Sequence, residues 1–231
     1  MAEPGNARAR RGDGPLIECV GVVKIYPLAG RQIQALRYVD LSVEPGEVVG
    51  VVGPSGSGKS SLLRIVAGLD MPTAGTVTVG GVDLATVSRR RRRHVRAHLL
   101  THVYQRPADN LLGDLTALEH LERVVARRGH PRRVAGEMLD RVGLSGRAHH
   151  RPHELSGGEQ QRLAFARAAA ALPALIIADE PTAELDTASA TAVLDALDNL
   201  RDAGTTVLVA THDERILPRL DTIVTIRNGS V

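Results

Sequence analysis

Residues 53–60 read Gly53-Pro54-Ser55-Gly56-Ser57-Gly58-Lys59-Ser60, a full match to G-x-x-x-x-G-K-[ST]. The chemistry this pattern serves is capture of a polyphosphate. Its glycines let successive backbone N–H groups turn toward one anion, and a helix starting behind the loop adds its positive end. Lys59 brings a point charge for β and γ phosphates, and the Ser60 hydroxyl can ligate Mg²⁺. Further along, Leu175-Ile176-Ile177-Ala178 is an apolar run ending in two carboxylates, Asp179 and Glu180. Asp179 is suited to hold a Mg²⁺ shell through water, and Glu180 to polarise an attacking water as general base. Taken without the loop, the same pair also reads as an acidic turn after a strand.

A third segment is Leu155-Ser156-Gly157-Gly158-Glu159-Gln160-Gln161-Arg162. Ser156 and Glu159 have the spacing of a capping box at a helix start, which leaves the two glycines without a purpose. A glycine pair at a helix N-terminus also lets a phosphate held by another molecule approach the backbone. Here the sequence resembles the ATPase subunits of ABC transporters, and LSGGEQQR is similar to their signature motif. The resemblance runs from about Leu16 to Val231. Within that family it is greatest to the lipoprotein-release and macrolide-export group. Tyr26-Pro27, the phosphate loop, Gly68-Leu69-Asp70-Met71-Pro72-Thr73 and the signature segment carry this likeness.

The resemblance implies further roles. Tyr26 would stack on adenine, Gln105 would reach the metal and the attacking water, and His212 would contact the γ-phosphate. Taken alone, Tyr26 fits a core residue and Gln105 a surface one. Ser61 joins residues 53–60 in the ATP-binding set, while Ser156, Gly157 and Gly158 would act in trans. Ala183-Glu184-Leu185-Asp186 would cross the interface of a homodimer that sandwiches two ATP molecules. ATP and Mg²⁺ are the implied cofactors. The implied partner is an integral membrane permease, with this subunit cytoplasmic and peripheral on the inner face of the cell membrane. Three departures stand out: Arg106 to Asn110 is about two residues longer than the family pattern, Ala183-Glu184 replaces Gly-Asn, and Ser61 stands where Thr is usual. An ATPase that remodels the envelope through a membrane partner would carry the same motifs.

The rest of the chain must position these groups. Its 231 residues, 43% of them hydrophobic, suit one large α/β domain. Aromatics are only 2% and Trp is absent, so the core is aliphatic and base stacking on nucleic acid is not expected. One cysteine, Cys19, excludes an internal disulfide and a cysteine-rich metal site. No stretch approaches the roughly 18–20 apolar residues of a membrane span. Net charge is +3, and the basic residues cluster at Arg8 to Arg11 and Arg89 to Arg93, read as a tail and a solvated helix face.

Partial alternation over Leu16 to Tyr26 predicts an edge strand of an antiparallel lobe, with Ile33 to Val43 as its neighbour. Val48 to Val52 reads as a buried strand, followed by the phosphate loop and a helix over Lys59 to Ala67. Thr76 to Val79 reads as a short strand, and Ser88 as the cap of an arginine-rich helix. Residues 116–144 read as helical, broken at Gly129-His130-Pro131. From Ser156 onward helix, strand, helix and strand alternate, the βαβ mark of a parallel sheet. The expected fold is an α/β P-loop NTPase of the ABC ATPase type. It has a mostly parallel core sheet, an N-terminal antiparallel β lobe and a helical insertion at about 110–160, with residues 1–15 as a disordered leader.

Overall fold

A computed structural model describes residues 14–28, 30–183, 185–202 and 204–231. Most of the expected leader, with the Arg8 to Arg11 cluster, lies outside the described residues, as does Glu184 of the expected interface loop. The first sheet is antiparallel and built from β1 (Ile17–Leu28), β2 (Arg31–Val43), β4 (Ala74–Val79) and the short β5 (Val82–Asp83), in the order β2-β1-β4-β5. β1 is therefore interior, not the edge strand expected from its alternation. Alternation reports which face of a strand is buried, and it is silent on how many neighbours pair with it. β1 also bends. Its register with β2 shifts after Cys19, where Gly21 takes φ 57° and donates its N–H to Asp40 Oδ1 at 2.7 Å.

The second sheet is wholly parallel: β6 (Leu100–Val103), β7 (Leu175–Asp179), β8 (Thr206–Thr211), β3 (Val48–Val52) and β9 (Thr222–Thr225), in the order β6-β7-β8-β3-β9. The central strands β7 and β8 are buried almost throughout, as their continuous apolar runs require. Register fixes the function-bearing end. Val103 pairs with Ala178, Asp179 with Ala210, and Val52 with Thr211. The segments following β3, β6, β7 and β8 thus leave the sheet along one edge, the carboxyl edge where open α/β sheets bind ligands.

Helices cover the sheet. α1 (Lys59–Val66) buries Leu62, Leu63, Ile65 and Val66 in a core shared by both sheets. α2 (Arg89–His98) is capped by Ser88 and buries only Val95. Arg89, Arg90, Arg91 and Arg93 are exposed, as read from sequence, whereas Arg92 and Arg96 are half-buried and donate to the carbonyls of Leu84 and Gly68. Between β6 and β7 come α3 (Ala117–Arg127), α4 (Arg133–Arg141) and α5 (Gly157–Ala170). Leu121, Val125, Leu139, Leu144 and Leu163 gather there into a separate hydrophobic cluster. α6 (Thr187–Asp202) packs on α5 and β8. None of the described helices is long and apolar enough to cross a membrane.

Phe165, the only phenylalanine, is 1% exposed and packs in the cluster beneath α5 and α6. With so few aromatics, no neighbouring ring can fill its space. Phe165→Ala should cost about 3–5 kcal/mol of folding free energy, read from chemical-denaturation midpoints.

Candidate active site

The phosphate loop is a strained turn held from outside. Gly53 takes φ 155°, and a Cβ there would lie 2.2 Å from the Ile226 carbonyl oxygen. Gly58 takes φ 112°, and a Cβ there would lie 2.4 Å from the Ala35 carbonyl oxygen. Both positions need glycine on two counts, conformation and space. The turn at Arg227–Ser230 braces the loop, with Gly229 donating to the Ser57 carbonyl at 3.0 Å. α1 starts at Gly58 with no side-chain cap, whereas Ser88, Thr116 and Ser156 cap their helices. The first-turn N–H groups of α1 therefore have no internal acceptor and point to where an anion would sit. Ser57 Oγ is buried at the loop without a hydrogen-bond partner among the described residues. Such a cradle fits a polyphosphate.

Charged groups from three strand ends meet over this loop. Lys59 Nζ donates to the carbonyls of Gly53 at 2.8 Å and Pro54 at 3.1 Å, and lies 3.3 Å from Glu180 Oε1. Glu180 Oε2 accepts from the His212 backbone N–H at 3.2 Å and faces His212 Nδ1 at 2.8 Å. A carboxylate only accepts, so the proton of the imidazole sits on Nδ1, leaving Nε2 on a ring that is largely exposed. Glu180 has φ 46°, left-handed for a residue with a Cβ, and its own N–H donates to the Ala210 carbonyl at 2.8 Å. That conformation turns its carboxylate back toward Lys59 and His212, a local strain of the kind that persists at functional sites.

Beside this cluster Ser60 Oγ donates to Asp179 Oδ1 at 3.1 Å. A hydroxyl and a carboxylate, both oxygen ligands, are the donor type that Mg²⁺ takes along with phosphate oxygens. Burial raises the Asp179 carboxyl above its ordinary range, the Ser60 hydrogen bond opposes this, and the neighbouring Glu180 charge adds to it.

Lys59, Ser60, Asp179, Glu180 and His212 are thus brought into one contact network. The remaining sequence candidates stand outside it. Gln105 is exposed, two residues beyond β6, and makes no side-chain hydrogen bond among the described residues. Tyr26 is bound elsewhere, its hydroxyl donating to Asp70 Oδ2 at 2.9 Å. Ser156 accepts from Glu159 N–H at 3.2 Å, and Glu159 Oε2 accepts from Ser156 N–H at 2.8 Å, which is the expected capping box. The glycine pair divides. Gly157 is exposed with open space at its Cβ position, while a Cβ on Gly158 would lie 2.1 Å from Ser189 Oγ. Gly158 has no room for a side chain, whereas the Cβ position of Gly157 faces open space.

Two residues that sequence reading passed over do structural duty here. Ser189, at the start of α6, donates from Oγ to Asp186 Oδ2 at 2.8 Å and lies against Gly158, so it brings Asp186 close to the start of α5. Asn110 closes the turn after Gln105. Its side chain accepts from Tyr104 N–H at 2.8 Å and donates to the carbonyls of Tyr104 at 3.0 Å and Arg106 at 3.2 Å. Pro107–Asn110 form a 3₁₀ turn. Next to it lies a groove of about 550 Å³ lined by Arg96, His102, Arg123, Arg127 and Arg167 among others. Burial and Arg64 push His102 down to about 4, and its ring nitrogens have no partner among the described residues.

The sequence model of the ABC transporter family matches residues 36–183, from β2 through the paired carboxylates. The chain belongs to the ABC transporter family. Among its relatives, a lipoprotein-releasing system ATP-binding protein LolD of Ruegeria pomeroyi is 45% identical, over 93% of this chain and 96% of that protein. A macrolide export ATP-binding/permease protein MacB of Rhodopseudomonas palustris is 39% identical over 94% of this chain, which spans 34% of that longer protein. In fold it is similar to the dimeric structure of the ATP-binding cassette MJ0796 in a post-hydrolysis state bound to ADP and Pi. That likeness has a TM-score of 0.85 and 36% identity, over 93% of this chain and 96% of the other. As an ABC ATPase, the chain binds and hydrolyses ATP.

Two outcomes follow from this geometry. Gly158→Ala should destabilise the fold by about 1–3 kcal/mol through overpacking, and Ser189→Gly should restore much of it, whereas Gly157→Ala should be neutral or stabilising by up to about 1 kcal/mol. Thermal unfolding of the single and double variants reads both effects. For Asp179 the unfolded carboxyl ionises first as pH rises, so stability present in acid is lost through the raised folded-state value. Asp179→Asn should therefore raise the melting temperature of the nucleotide-free protein at pH 7. The gain should vanish below the ordinary carboxylate value of 3.8.

Proposed function

We propose that this cassette works as a homodimer that closes on two ATP molecules and drives an integral membrane permease from the cytoplasmic face. What carries the reading is the convergence of Lys59 and His212 on Glu180, each within hydrogen-bond reach of its carboxylate, beside an uncapped helix start. Supporting the dimer is the exposed Gly157 at the start of α5, a backbone site accessible to nucleotide held by a second copy. Supporting the permease is the likeness to LolD and MacB proteins, together with the groove beside the Gln105 segment that a membrane partner could enter. In this reading residues 16–231 form one cassette, with its helical part at about 110–160.

The chain's residues take these parts. Residues 53–61 and the start of α1 bind the phosphates, with Lys59 on the β and γ groups. Lys59 first leaves Glu180 and the loop carbonyls, because a polyphosphate outcompetes them for its charge. Glu180, released from Lys59, accepts a proton from the attacking water, and His212 keeps the carboxylate oriented through Nδ1 while its ring faces the γ-phosphate. Ser60 and Asp179 would hold Mg²⁺, with Gln105 completing the shell. When bound, that ion neutralises charge developing on the transferred phosphoryl oxygens. Tyr26 stacks on adenine, and the 183–186 loop lies at the dimer seam.

Glu180→Gln should retain ATP binding while turnover falls by about 10²–10⁴-fold, the scale of a lost general base. Size-exclusion chromatography with ATP should show the variant trapped as a dimer. Hydrolysis at the parent rate, or a monomer at saturating ATP, would overturn the assignment.

A further inference from the structure

We infer that Asp70 is a positioning residue for adenine recognition, holding the Tyr26 ring at a fixed tilt against the Lys24 ammonium. This rests on the reading of Tyr26 as the adenine platform. Lys24 and Tyr26 lie on β1 either side of a register irregularity, and their side chains meet the same residue. Asp70 grips both. Its Oδ2 accepts from the Tyr26 hydroxyl at 2.9 Å, and its Oδ1 accepts from Lys24 Nζ at 2.7 Å and from Met71 N–H at 2.7 Å. Lys24 Nζ also donates to the Met71 carbonyl at 2.8 Å and sits 4.7 Å from the Tyr26 ring centroid. The ammonium is thus fixed over the ring, which is only half-buried and so keeps part of its surface open to solvent. Burial would raise the Asp70 carboxyl, but hydrogen bonds from Lys24, Met71 and Tyr26 outweigh it and hold it below the ordinary range.

Asp70 also has a place in the machinery of the phosphate loop. Both Leu69 and Asp70 donate their N–H groups to the Arg64 carbonyl, so Asp70 is fastened to the end of α1. At the other end of that helix lies the loop itself, about 12 Å away at 1.5 Å per residue. Lys24 pairs with Leu36, whose Cδ2 lies 2.9 Å from the Cβ position of Gly58. One short helix therefore fixes the spacing between the anchor of the ring and the cradle for the phosphates. A fixed spacing of that kind measures a base against its polyphosphate.

Calorimetry with the full chain, using ATP and inorganic triphosphate as probes, separates the possibilities. Tyr26→Phe keeps the ring and removes only the hydroxyl that Asp70 holds. It and Asp70→Ala should each weaken ATP binding by about five-fold and leave triphosphate binding unchanged. Their combination should bind no worse than Asp70→Ala alone, since the Tyr26 hydroxyl contact is already lost in that variant. Tyr26→Ala should weaken ATP by about 10- to 100-fold, again without effect on triphosphate. If Tyr26→Ala leaves ATP binding at the parent level, the adenine platform itself falls. Should Tyr26→Ala weaken ATP while Tyr26→Phe and Asp70→Ala do not, the platform stands and the positioning role is wrong. Equal losses for ATP and triphosphate in Asp70→Ala would also sink it, since they would mark a distortion of α1 and its loop.

Discussion

The ion pair between Lys59 and Glu180 is the contact around which this site is arranged. Its side chains are 6% and 11% exposed, so neither charge is well solvated and each depends on the other. Removing one partner of such a pair costs on the order of 3–5 kcal/mol. In the proposed mechanism, the same contact holds the lysine off the phosphates and occupies the carboxylate that would take the water's proton. Nucleotide binding would then be an exchange of partners, in which one anion displaces another from the same ammonium. Parallel register makes the contact possible, because β3 and β7 end level on either side of β8 and deliver both residues to one edge.

Much of this was legible in the sequence, for a definable reason. The phosphate loop and the capping box are local: their residues act on backbone within a few positions, so spacing along the chain is spacing in space. Asp179 and Glu180 were readable because a buried apolar strand ending in two carboxylates marks the carboxyl edge of a parallel sheet. What escaped the sequence lies in contacts made through space. β1 looked like an edge because its pattern records burial, not pairing. β6 is short and half polar, with His102 and Thr101 inside it, so it gave no strand signal. Asp70 meets Lys24 across 46 residues, and Ser189 meets Gly158 from a different helix. Glu180's left-handed backbone is invisible to any pattern of side chains.

The signature segment shows how one motif can hold two unlike constraints. Gly157 and Gly158 are adjacent and chemically identical, yet one faces open space and the other is pressed against Ser189. Ser189 in turn holds Asp186, so the starts of α5 and α6 lie close together within the protomer.

Asn110 gives the turn beyond Gln105 a mechanical role as well. Its carbonyl accepts from Arg167 at 3.1 Å, and Arg167 belongs to α5, the helix that begins at Gly157. Burial depresses the guanidinium's proton affinity, so this donor has little water to turn to if the bond breaks. In the proposed dimer, a load applied to the turn would reach α5 through this bond, and the far end of that helix is Gly157, where the nucleotide of a second copy would lie.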